Sequence, residues 1–227
     1  MQKNIRKIFI VIPVYNEAPV IFNTIKEIER AGYQNIIIID DGSSDETYHE
    51  AKKSGKIILR LILNRGKGAA VKTGIEAAKM LGADIVVTMD GDGQHNPENI
   101  KNMVKLIQTK RCDVVLGTRL ANPQGMPWYK ILANHIGNFF TWLIYGLWVT
   151  DSQSGFRAYS KKAIGLIDTQ TDRYEYDSEV IREIGRHNLK YQEVPVEVRY
   201  TKYSMNKTNK QGIKNGIKTL IKMLISS

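Results

Sequence analysis

The chain has 227 residues, of which 42% are hydrophobic, so it is long enough for one domain with a substantial core, and we expect one. Its single cysteine, Cys112, excludes an internal disulfide and any metal cluster built on cysteines, and we expect it to be a packing residue. The formal net charge of +10 indicates an anionic partner, which could be nucleic acid, a phosphorylated substrate or a membrane surface.

Short apolar runs alternate with segments of helical period through the first half of the chain. Strands are predicted at 7–13, 35–40, 56–63, 84–90 and 113–117. Helices are predicted at 18–31, 43–55 and 66–82, the second of them opened by a capping box of Ser43 and Glu46. A fourth helix is predicted with Asn96 as its N-cap and Pro97 in the first helical position. The alternation indicates an α/β fold in which a mostly parallel, Rossmann-like sheet is flanked by helices.

The second half of the chain is less regular. Residues 128–149 hold all three tryptophans and are apolar almost all round, but His135, Gly137 and Asn138 interrupt them. The uninterrupted apolar part falls short of the roughly 20 residues that span a bilayer. We expect a helix that is buried for most of its length. The alternative is a helix that lies in the membrane interface, with its tryptophans at headgroup depth.

The excess of positive charge is concentrated near the C-terminal end. Residues 199–227 hold seven Lys and Arg and no acidic residue. Apolar residues recur there at helical spacing, flanked by a lysine at every fourth position, namely Lys210, Lys214, Lys218 and Lys222. This pattern predicts a basic amphipathic helix. Such a helix either binds an anionic membrane surface or docks on the domain by its apolar stripe.

Three clusters of polar side chains follow predicted strands. In chain order they are Pro13, Tyr15, Asn16 and Glu17, then Asp40 and Asp41, then Asp90, Asp92 and Gln94. Each cluster alone could be a turn or a helix cap. Because ligands bind at the carboxyl ends of the strands in sheets of this kind, the three together predict a site on one rim of the sheet.

The third cluster has the composition of a metal site. Asp90 and Asp92 are two residues apart, so in an extended segment both side chains point the same way. Two carboxylates so close repel each other unless a cation lies between them. A few hard oxygen ligands suit Mg²⁺ or Mn²⁺ held jointly with the phosphates of a substrate.

Six motifs in one order carry a resemblance to a known family. They are PVYNE at 13–17, DDGSSDET at 40–47, NRGKGAAVKTG at 64–74, DGDGQHNPE at 90–98, GTR at 117–119 and DSQSGFRAYS at 151–160. Together they resemble the family 2 glycosyltransferases of GT-A fold, and within them the branch of dolichol-phosphate mannose and glucose synthases. The resemblance implies a GT-A catalytic domain over 1–200. It leaves 201–227 as the basic amphipathic segment, with no transmembrane helix.

The resemblance implies an inverting, metal-dependent transfer of a hexose from a nucleotide sugar to a polyprenyl or dolichyl phosphate. The metal, Mg²⁺ or Mn²⁺, would be held by Asp90, Asp92 and Gln94. Contacts with the nucleotide sugar are expected from Pro13, Tyr15, Glu17, Asp40, Asp41, Lys67, Asp90, Gly91, Arg199 and Lys207. Asp40 could instead orient its loop. The donor could be GDP-mannose or a UDP sugar.

Catalytic contributions are expected from Asp92, Arg119, Asp151 and Arg157. The two arginines would lie near the acceptor or the diphosphate, because a guanidinium matches phosphate oxygens with two parallel hydrogen bonds. For Arg157 the alternative is a salt bridge to a carboxylate at the sheet edge. Asp151 or Glu179 would act as a base or would position the acceptor.

Other functions remain open at this point. The same fold could transfer the sugar to a saccharide hydroxyl, which requires a carboxylate base. A nucleic-acid-binding protein would explain the basic tail, but its aromatic residues are not interleaved with the basic ones, so we expect no nucleic-acid partner. An inactive relative that only binds nucleotide or membrane is a third alternative. We expect peripheral association with the cytoplasmic face of the membrane through the C-terminal helix. The sequence does not indicate the oligomeric state.

Overall fold

One seven-stranded sheet with helices on both faces forms the molecule. The structure is a computed structural model that describes residues 6–120, 128–173, 175–199 and 203, apart from the side chains of residues 128–130 and 133. The strands are β1 (Ile8–Val14), β2 (Ile36–Asp40), β3 (Ile57–Arg60), β4 (Ile85–Thr88), β5 (Val114–Thr118), β6 (Arg157–Ser160) and β7 (Tyr191–Pro195). The helices are α1 (Ile21–Arg30), α2 (Thr47–Lys52), α3 (Lys67–Met80), α4 (Asn99–Gln108), α5 (Trp128–Tyr145), α6 (Lys161–Leu166) and α7 (Glu175–Arg186). The predicted α/β fold is confirmed.

The strand order is β3-β2-β1-β4-β6-β5-β7. Neighbouring strands are parallel except at β6, which runs antiparallel to both β4 and β5. The order reverses between β1 and β4, the kind of switch point at which open α/β sheets form a crevice. β6 was not predicted from sequence. Because it runs the opposite way, its first residue, Arg157, pairs with Thr88 at the carboxyl end of β4.

The two faces of the sheet bury separate apolar clusters. Along β1, Ile10 and Ile12 pack on the side of α1 and α4, whereas Phe9 and Val11 pack on the side of α3, α6 and α7. β2, β4 and β5 are buried at every position, as expected of strands covered on both faces. Cys112 belongs to the first cluster, and burial raises the pKa of its thiol to about 11. It is a packing residue, as predicted.

The predicted capping box of Ser43 and Glu46 is wrong. Helix α2 begins directly after Glu46, whose side chain makes no cap hydrogen bond. The Ser43 Oγ instead accepts a hydrogen bond of 3.0 Å from the N–H of Asn16, in the loop that follows β1. A partner distant in the sequence has replaced the local one, so the residue that looked like a helix cap joins two loops.

Two other predicted boundaries also differ. α4 begins three residues after Asn96, whose Oδ1 accepts from the N–H of Glu98 in a turn that precedes the helix. The strand predicted at 56–63 ends three residues early, with β3. β3 is the edge of the sheet, and the apolar residues beyond it, Ile62 and Leu63, are exposed.

Helix α5 presents an apolar side to solvent, so the prediction that it is buried for most of its length is wrong. Asn138 and Thr141 face the body of the protein and are almost fully buried. The exposed side chains of the helix include Leu132, Ile136, Phe139, Trp142 and Leu143. Among the described helices, none is both long enough and apolar enough to cross a membrane.

The fold predicts opposite effects for two glycines inside helices. At Gly74 of α3 an added Cβ would overlap side chains of Val11 and Ile39, whereas at Gly137 of α5 nothing lies within 4 Å of it. Gly74→Ala should lower the free energy of unfolding by about 1–3 kcal/mol through overpacking. Gly137→Ala should raise it by about 0.5–1 kcal/mol, because glycine is a poor helix former. Urea unfolding of both variants measures the difference, and a destabilised Gly137→Ala or a neutral Gly74→Ala would contradict this packing.

Candidate functional site

The loops after β1 and β2 are joined by hydrogen bonds at the rim of the sheet. The N–H of Asn16 donates to Ser43 Oγ at 3.0 Å, and the N–H of Ser44 donates to Asn16 Oδ1 at 3.0 Å. The N–H of Glu17 donates to Thr47 Oγ1 at 2.7 Å. Asn16 has a φ of 52°, a left-handed conformation that Asn tolerates better than most residues. These contacts join the loop that holds the first predicted cluster to the loop that follows Asp40 and Asp41.

Asp40 and Asp41 hold the loops around them. Asp40 is fully buried, and its Oδ1 accepts from the N–H of Ser43 at 3.0 Å, which fits the loop-orienting role suggested for it. Asp41 accepts from the N–H of Arg65 at 2.9 Å and from that of Gly66 at 2.8 Å. Burial raises the pKa of Asp41 in spite of these two hydrogen bonds. Asp41 therefore fixes the loop that leads into α3.

The two carboxylates of the third cluster have different environments. Lys67 Nζ lies 2.9 Å from Asp90 Oδ1, and His95 Nε2 lies 3.6 Å from Asp90 Oδ2. Gln94 donates to Asp92 twice, from its backbone N–H at 3.0 Å and from Nε2 at 2.7 Å. Burial opposes ionisation of both acids, but Lys67 and His95 hold the pKa of Asp90 well below its usual range. Burial and the charge of Asp90 raise the pKa of Asp92.

Two glycines allow this cluster to form. An added Cβ at Gly91 would overlap a side chain of β1, which explains why a residue without a side chain separates the two aspartates. At Gly155 an added Cβ would overlap Lys67 Nζ and lie 3.0 Å from Asp90 Oδ1. The carbonyl of Gly155 accepts from the Thr88 hydroxyl at 2.7 Å, which fixes this backbone beside β4. Gly155 therefore forms one wall of the Lys67–Asp90 pair.

A line of alternating charges runs inward from this pair. Lys67 Nζ lies 3.8 Å from Asp177 Oδ2, and Arg157 Nη2 lies 3.3 Å from Asp177 Oδ1. Arg157 is 1% exposed and also donates to backbone carbonyls of the loop 151–156 and of Asp177. The predicted contact of Arg157 with the acceptor or diphosphate is therefore wrong. The salt-bridge alternative is the one observed, with a carboxylate of α7 rather than of the sheet edge.

Asp177 was not predicted from sequence. It lies in the first turn of α7 and is 4% exposed. An acidic residue in the first turn of a helix is ordinary, because it complements the helix dipole, so nothing local distinguishes Asp177. Its importance comes from lying between two cations, the partly exposed Lys67 and the buried Arg157, that are distant from it in the sequence.

Arg119 and Asp151 form a two-point ion pair. Asp151 Oδ2 accepts from Arg119 Nε at 2.7 Å and from its backbone N–H at 3.0 Å, while Oδ1 accepts from Nη2 at 2.8 Å. Asp151 is 2% exposed, so the pair is strong and fixed in direction. Both oxygens of Asp151 serve the guanidinium. The structure therefore favours Asp151 as a positioning residue for Arg119, and its alternative role as a base stays a prediction.

Glu179, the other candidate base, is also committed to internal contacts. Its Oε2 accepts from the backbone N–H of Gln170 and from the N–H and hydroxyl of Thr171, and its Oε1 pairs with Arg182 at 2.7 Å. Burial alone would raise its pKa, but these donors lower it. A carboxylate with a lowered pKa is a weak base. Glu179 ties the segment before α7 to that helix.

The remaining predicted residues lie around the same rim. Pro13 is half-buried at the end of β1, and Tyr15 is half-buried in the loop that follows it. The carboxylate of Glu17 accepts from the hydroxyl of Tyr203 at 3.0 Å. Arg199 donates its backbone N–H to the carbonyl of Gln94, but its guanidinium pairs with Glu27 of α1 at 2.8 Å.

The predicted contact of Arg199 with a nucleotide stays a prediction. Lys207 lies outside the described residues, so its predicted contact stays a prediction. The basic amphipathic segment 201–227 lies outside them too, except for Tyr203, and so does its predicted helix.

Comparison with known proteins identifies the family. Residues 9–166 match the model of glycosyl transferase family 2. The chain is 43% identical over 227 residues to an uncharacterized protein of Methanocaldococcus jannaschii, with 96% of this chain and 91% of that protein covered. It is 39% identical over 220 residues to the UDP-N-acetylglucosamine–dolichyl-phosphate N-acetylglucosaminyltransferase of Methanococcus voltae, with 87% and 88% covered.

The fold is also that of a solved glycosyltransferase. The structure of glucosyl-3-phosphoglycerate synthase from Mycobacterium tuberculosis, in complex with Mn²⁺, uridine diphosphate and phosphoglyceric acid, superposes with a TM-score of 0.73 at 20% identity. The superposition covers 97% of this chain and 78% of that one. The family model, the relatives and the shared fold agree with the six motifs, and the chain belongs to glycosyl transferase family 2.

Proposed function

We propose that the protein transfers a hexose, with inversion at the anomeric carbon, from a nucleotide sugar to a polyprenyl or dolichyl phosphate. The observation that carries this proposal is that Asp151 and Glu179 are both engaged in ion pairs inside the protein. Transfer to a saccharide hydroxyl needs a base to remove the proton, but both candidate carboxylates are committed to internal contacts. A phosphate acceptor needs no such base, because its oxygen is already an anion. It needs a cation instead, and Arg119 is one.

The relatives support the same acceptor. The Methanococcus voltae relative is named for transfer to dolichyl phosphate, and it aligns with most of this chain. Its name also gives a UDP sugar as the donor, so UDP-N-acetylglucosamine is the first donor to test, with GDP-mannose as the alternative. Membership of a glycosyltransferase family also argues against reading the net charge of +10 as a sign of nucleic-acid binding.

The acidic cluster has the composition to hold Mg²⁺ or Mn²⁺ against the donor diphosphate. Asp92 has a raised pKa because burial and Asp90 disfavour its charge, and a cation beside it would relieve both effects. Within the described ranges no three His, Cys, Asp or Glu side chains converge, so the diphosphate and water would complete the ligands of a metal on Asp90, Asp92 and Gln94. When bound there, the cation supplies Lewis-acid stabilisation of the leaving diphosphate.

The chain's own residues account for the rest of the reaction. Lys67, held by Asp90 and Asp177, adds a fixed positive charge on the side of the leaving group. Arg119, oriented by Asp151, holds the acceptor phosphate. The acceptor oxygen forms a bond to the anomeric carbon as the bond from that carbon to the diphosphate oxygen breaks. The displaced electron pair stays on the diphosphate, and a single displacement inverts the anomeric centre.

Two further expectations belong to this proposal. The first is the division into a catalytic domain over 1–200 and a basic segment over 201–227. All strands of the described sheet lie before this boundary, and the last of them ends at Pro195. The second is that the basic segment binds an anionic membrane surface, so that the protein associates peripherally with the cytoplasmic face. The lipid acceptor and the seven Lys and Arg within 199–227 support this expectation.

The acceptor and donor are tested together in a transfer assay. Purified protein with Mn²⁺ or Mg²⁺, a short-chain polyprenyl phosphate and labelled UDP- and GDP-sugars should form a lipid-linked sugar. Asp92→Ala should lower the rate by about 100-fold or more, as the loss of an electrostatic group at a leaving group does. Asp168→Ala, which removes an exposed carboxylate, is the matched control and should be unchanged. Transfer only to saccharides would contradict the proposed acceptor.

The proposal that neither Asp151 nor Glu179 has to act as a base gives a second test. Glu179→Gln should retain transfer to polyprenyl phosphate within about 10-fold, because Glu179 does not have to accept a proton. Asp151→Asn should raise the KM for the acceptor more than it lowers kcat, since it loosens Arg119. Thermal unfolding would show whether either variant is folded. Complete loss of kcat in a folded Glu179→Gln variant would favour a hydroxyl acceptor.

The wall formed by Gly155 gives a third test. Gly155→Ala would push Lys67 away from Asp90, so the affinity for the nucleotide sugar should fall by about 10-fold or more. Gly165→Ala is the matched control, because nothing lies within 4 Å of its added Cβ. Calorimetric titration with the nucleoside diphosphate measures both. Equal affinities in the two variants would show that the position of Lys67 does not matter for donor binding.

A further inference from the structure

An apolar surface on helix α5 has no described partner inside the protein. We call it the outer face of α5. It consists of Leu132, Ile136, Phe139, Trp142 and Leu143, which are between 43% and 60% exposed, together with Trp148, which follows the helix and is 54% exposed. Their spacing places them on one side of the helix. Contiguous apolar patches of this kind mark interaction sites on soluble domains.

The polarity of α5 is the reverse of that of an ordinary surface helix. Its inner side is attached by hydrogen bonds: Asn138 Nδ2 donates to the carbonyl of Thr150 at 2.5 Å, and Asn138 Oδ1 accepts from the N–H of Ser152 at 2.9 Å and from its hydroxyl at 2.8 Å. Asn138 is 2% exposed. An amphipathic helix normally buries its apolar side, so the outward placement of this one requires a partner outside the described protein.

The chemistry of the surroundings favours an anionic lipid bilayer as that partner. The indoles of Trp142 and Trp148 are 6.1 Å apart at the edge of the patch, and tryptophan is enriched at membrane–water interfaces. No acidic residue occurs between Val114 and Thr150. Beside the patch, exposed Lys190 precedes Tyr191, whose hydroxyl donates to the Trp148 carbonyl. The carboxylate next to Lys190, that of Asp113, also pairs with Lys162, so the two lysines outnumber it.

Arg186, also exposed, adds a second cation at the end of α7, next to Gly185, which approaches the last residue of α5, and it lies 3.6 Å from the buried carboxylate of Glu183. Cations around an apolar patch match anionic headgroups around acyl chains.

We propose that the outer face of α5 lies in the interface of an anionic bilayer and that Asn138 transmits this placement to the Arg119–Asp151 pair. The two residues that Asn138 binds, Thr150 and Ser152, are the chain neighbours of Asp151. The helix that contacts the lipid is therefore attached directly to the loop whose aspartate orients the acceptor's cation. This inference rests on the proposed lipid acceptor, and it places Arg119 at the depth of a lipid phosphate.

Tryptophan fluorescence tests the surface directly. All three tryptophans lie between residues 128 and 148, so the intrinsic emission reports on α5 and its ends and not on the basic segment 201–227. Vesicles of phosphatidylcholine and phosphatidylglycerol with brominated acyl chains should quench this emission in the wild-type protein. The double variant Phe139→Glu with Leu143→Glu should lose the quenching and bind vesicles about 10-fold more weakly or worse. Both residues are exposed, so the variant should fold, and circular dichroism checks this.

Met80→Glu is the matched control, because Met80 is 88% exposed at the end of α3 and outside the patch. It should behave as wild type. Wild-type protein that sediments with vesicles without quenching would assign the binding to another segment and overturn the proposal. So would a double variant that changes the oligomeric state in light scattering but leaves vesicle binding unchanged. If Phe139→Glu with Leu143→Glu is unfolded, Leu143→Gln, which removes apolar surface without adding a charge, gives the same comparison with a smaller change.

Transfer assays with two different acceptors distinguish this proposal from the proposed function. With a short-chain, water-soluble polyprenyl phosphate the double variant should transfer sugar as wild type does, and with a long-chain acceptor in vesicles it should lose most transfer. If no protein transfers to either acceptor but the quenching pattern holds, the proposed function fails and the docking surface stands. Asn138→Ala should keep the quenching and raise the KM for both acceptors. An unchanged KM would overturn the coupling.

Discussion

The site depends on a line of alternating charges, Asp90, Lys67, Asp177 and Arg157, of which the inner two are buried. Each charge is stabilised by neighbours of the opposite sign, and removing one member of the buried pair of Asp177 and Arg157 should cost about 3–5 kcal/mol. The line joins the start of α3, the loop after β4, the start of β6 and the first turn of α7. Four segments that are far apart in the sequence are thereby held around one crevice, and the outermost carboxylate is kept ionised beside Asp92.

The antiparallel strand β6 makes this arrangement possible. Had β6 been parallel to β4, the loop 151–156 would have entered the sheet from the opposite edge. Because β6 is reversed, Arg157 begins the strand next to Thr88, and the backbone of Gly155 lies against Lys67 and Asp90. The same loop carries Asp151, which orients Arg119 after β5. Gly155, beside the proposed donor site, and Asp151, beside the proposed acceptor site, therefore belong to the same short loop.

Helix α5 extends this arrangement toward the acceptor. A helix that buried its apolar side would occupy the protein core, whereas Asn138 attaches α5 by its polar side and leaves its aromatic side outward. The cost of that exposure is offset only if an apolar phase covers it. A lipid phosphate is anchored in such a phase, so a bilayer that covers α5 would also deliver the acceptor close to Arg119. Binding of α5 to the bilayer and transfer of the sugar to the lipid phosphate then require the same orientation of the protein.

The sequence by itself determined the periodic strands and helices, the rim on which the polar clusters lie, and the acidic pair, because these follow from local patterns and from the rule that parallel strands end at one edge. The tertiary structure decided which charges pair. Asp151 pairs with Arg119 and Arg157 pairs with Asp177, although the members of each pair lie 20 or more residues apart in the sequence, and Asp177 carried no local signal at all. Likewise the composition of α5 could not show which side faces inward, because the hydrogen bonds of Asn138 with Thr150 and Ser152, which mark the inner side, join segments that the helix pattern does not contain. Contacts between segments far apart in the chain fix such choices, and a local pattern does not contain them.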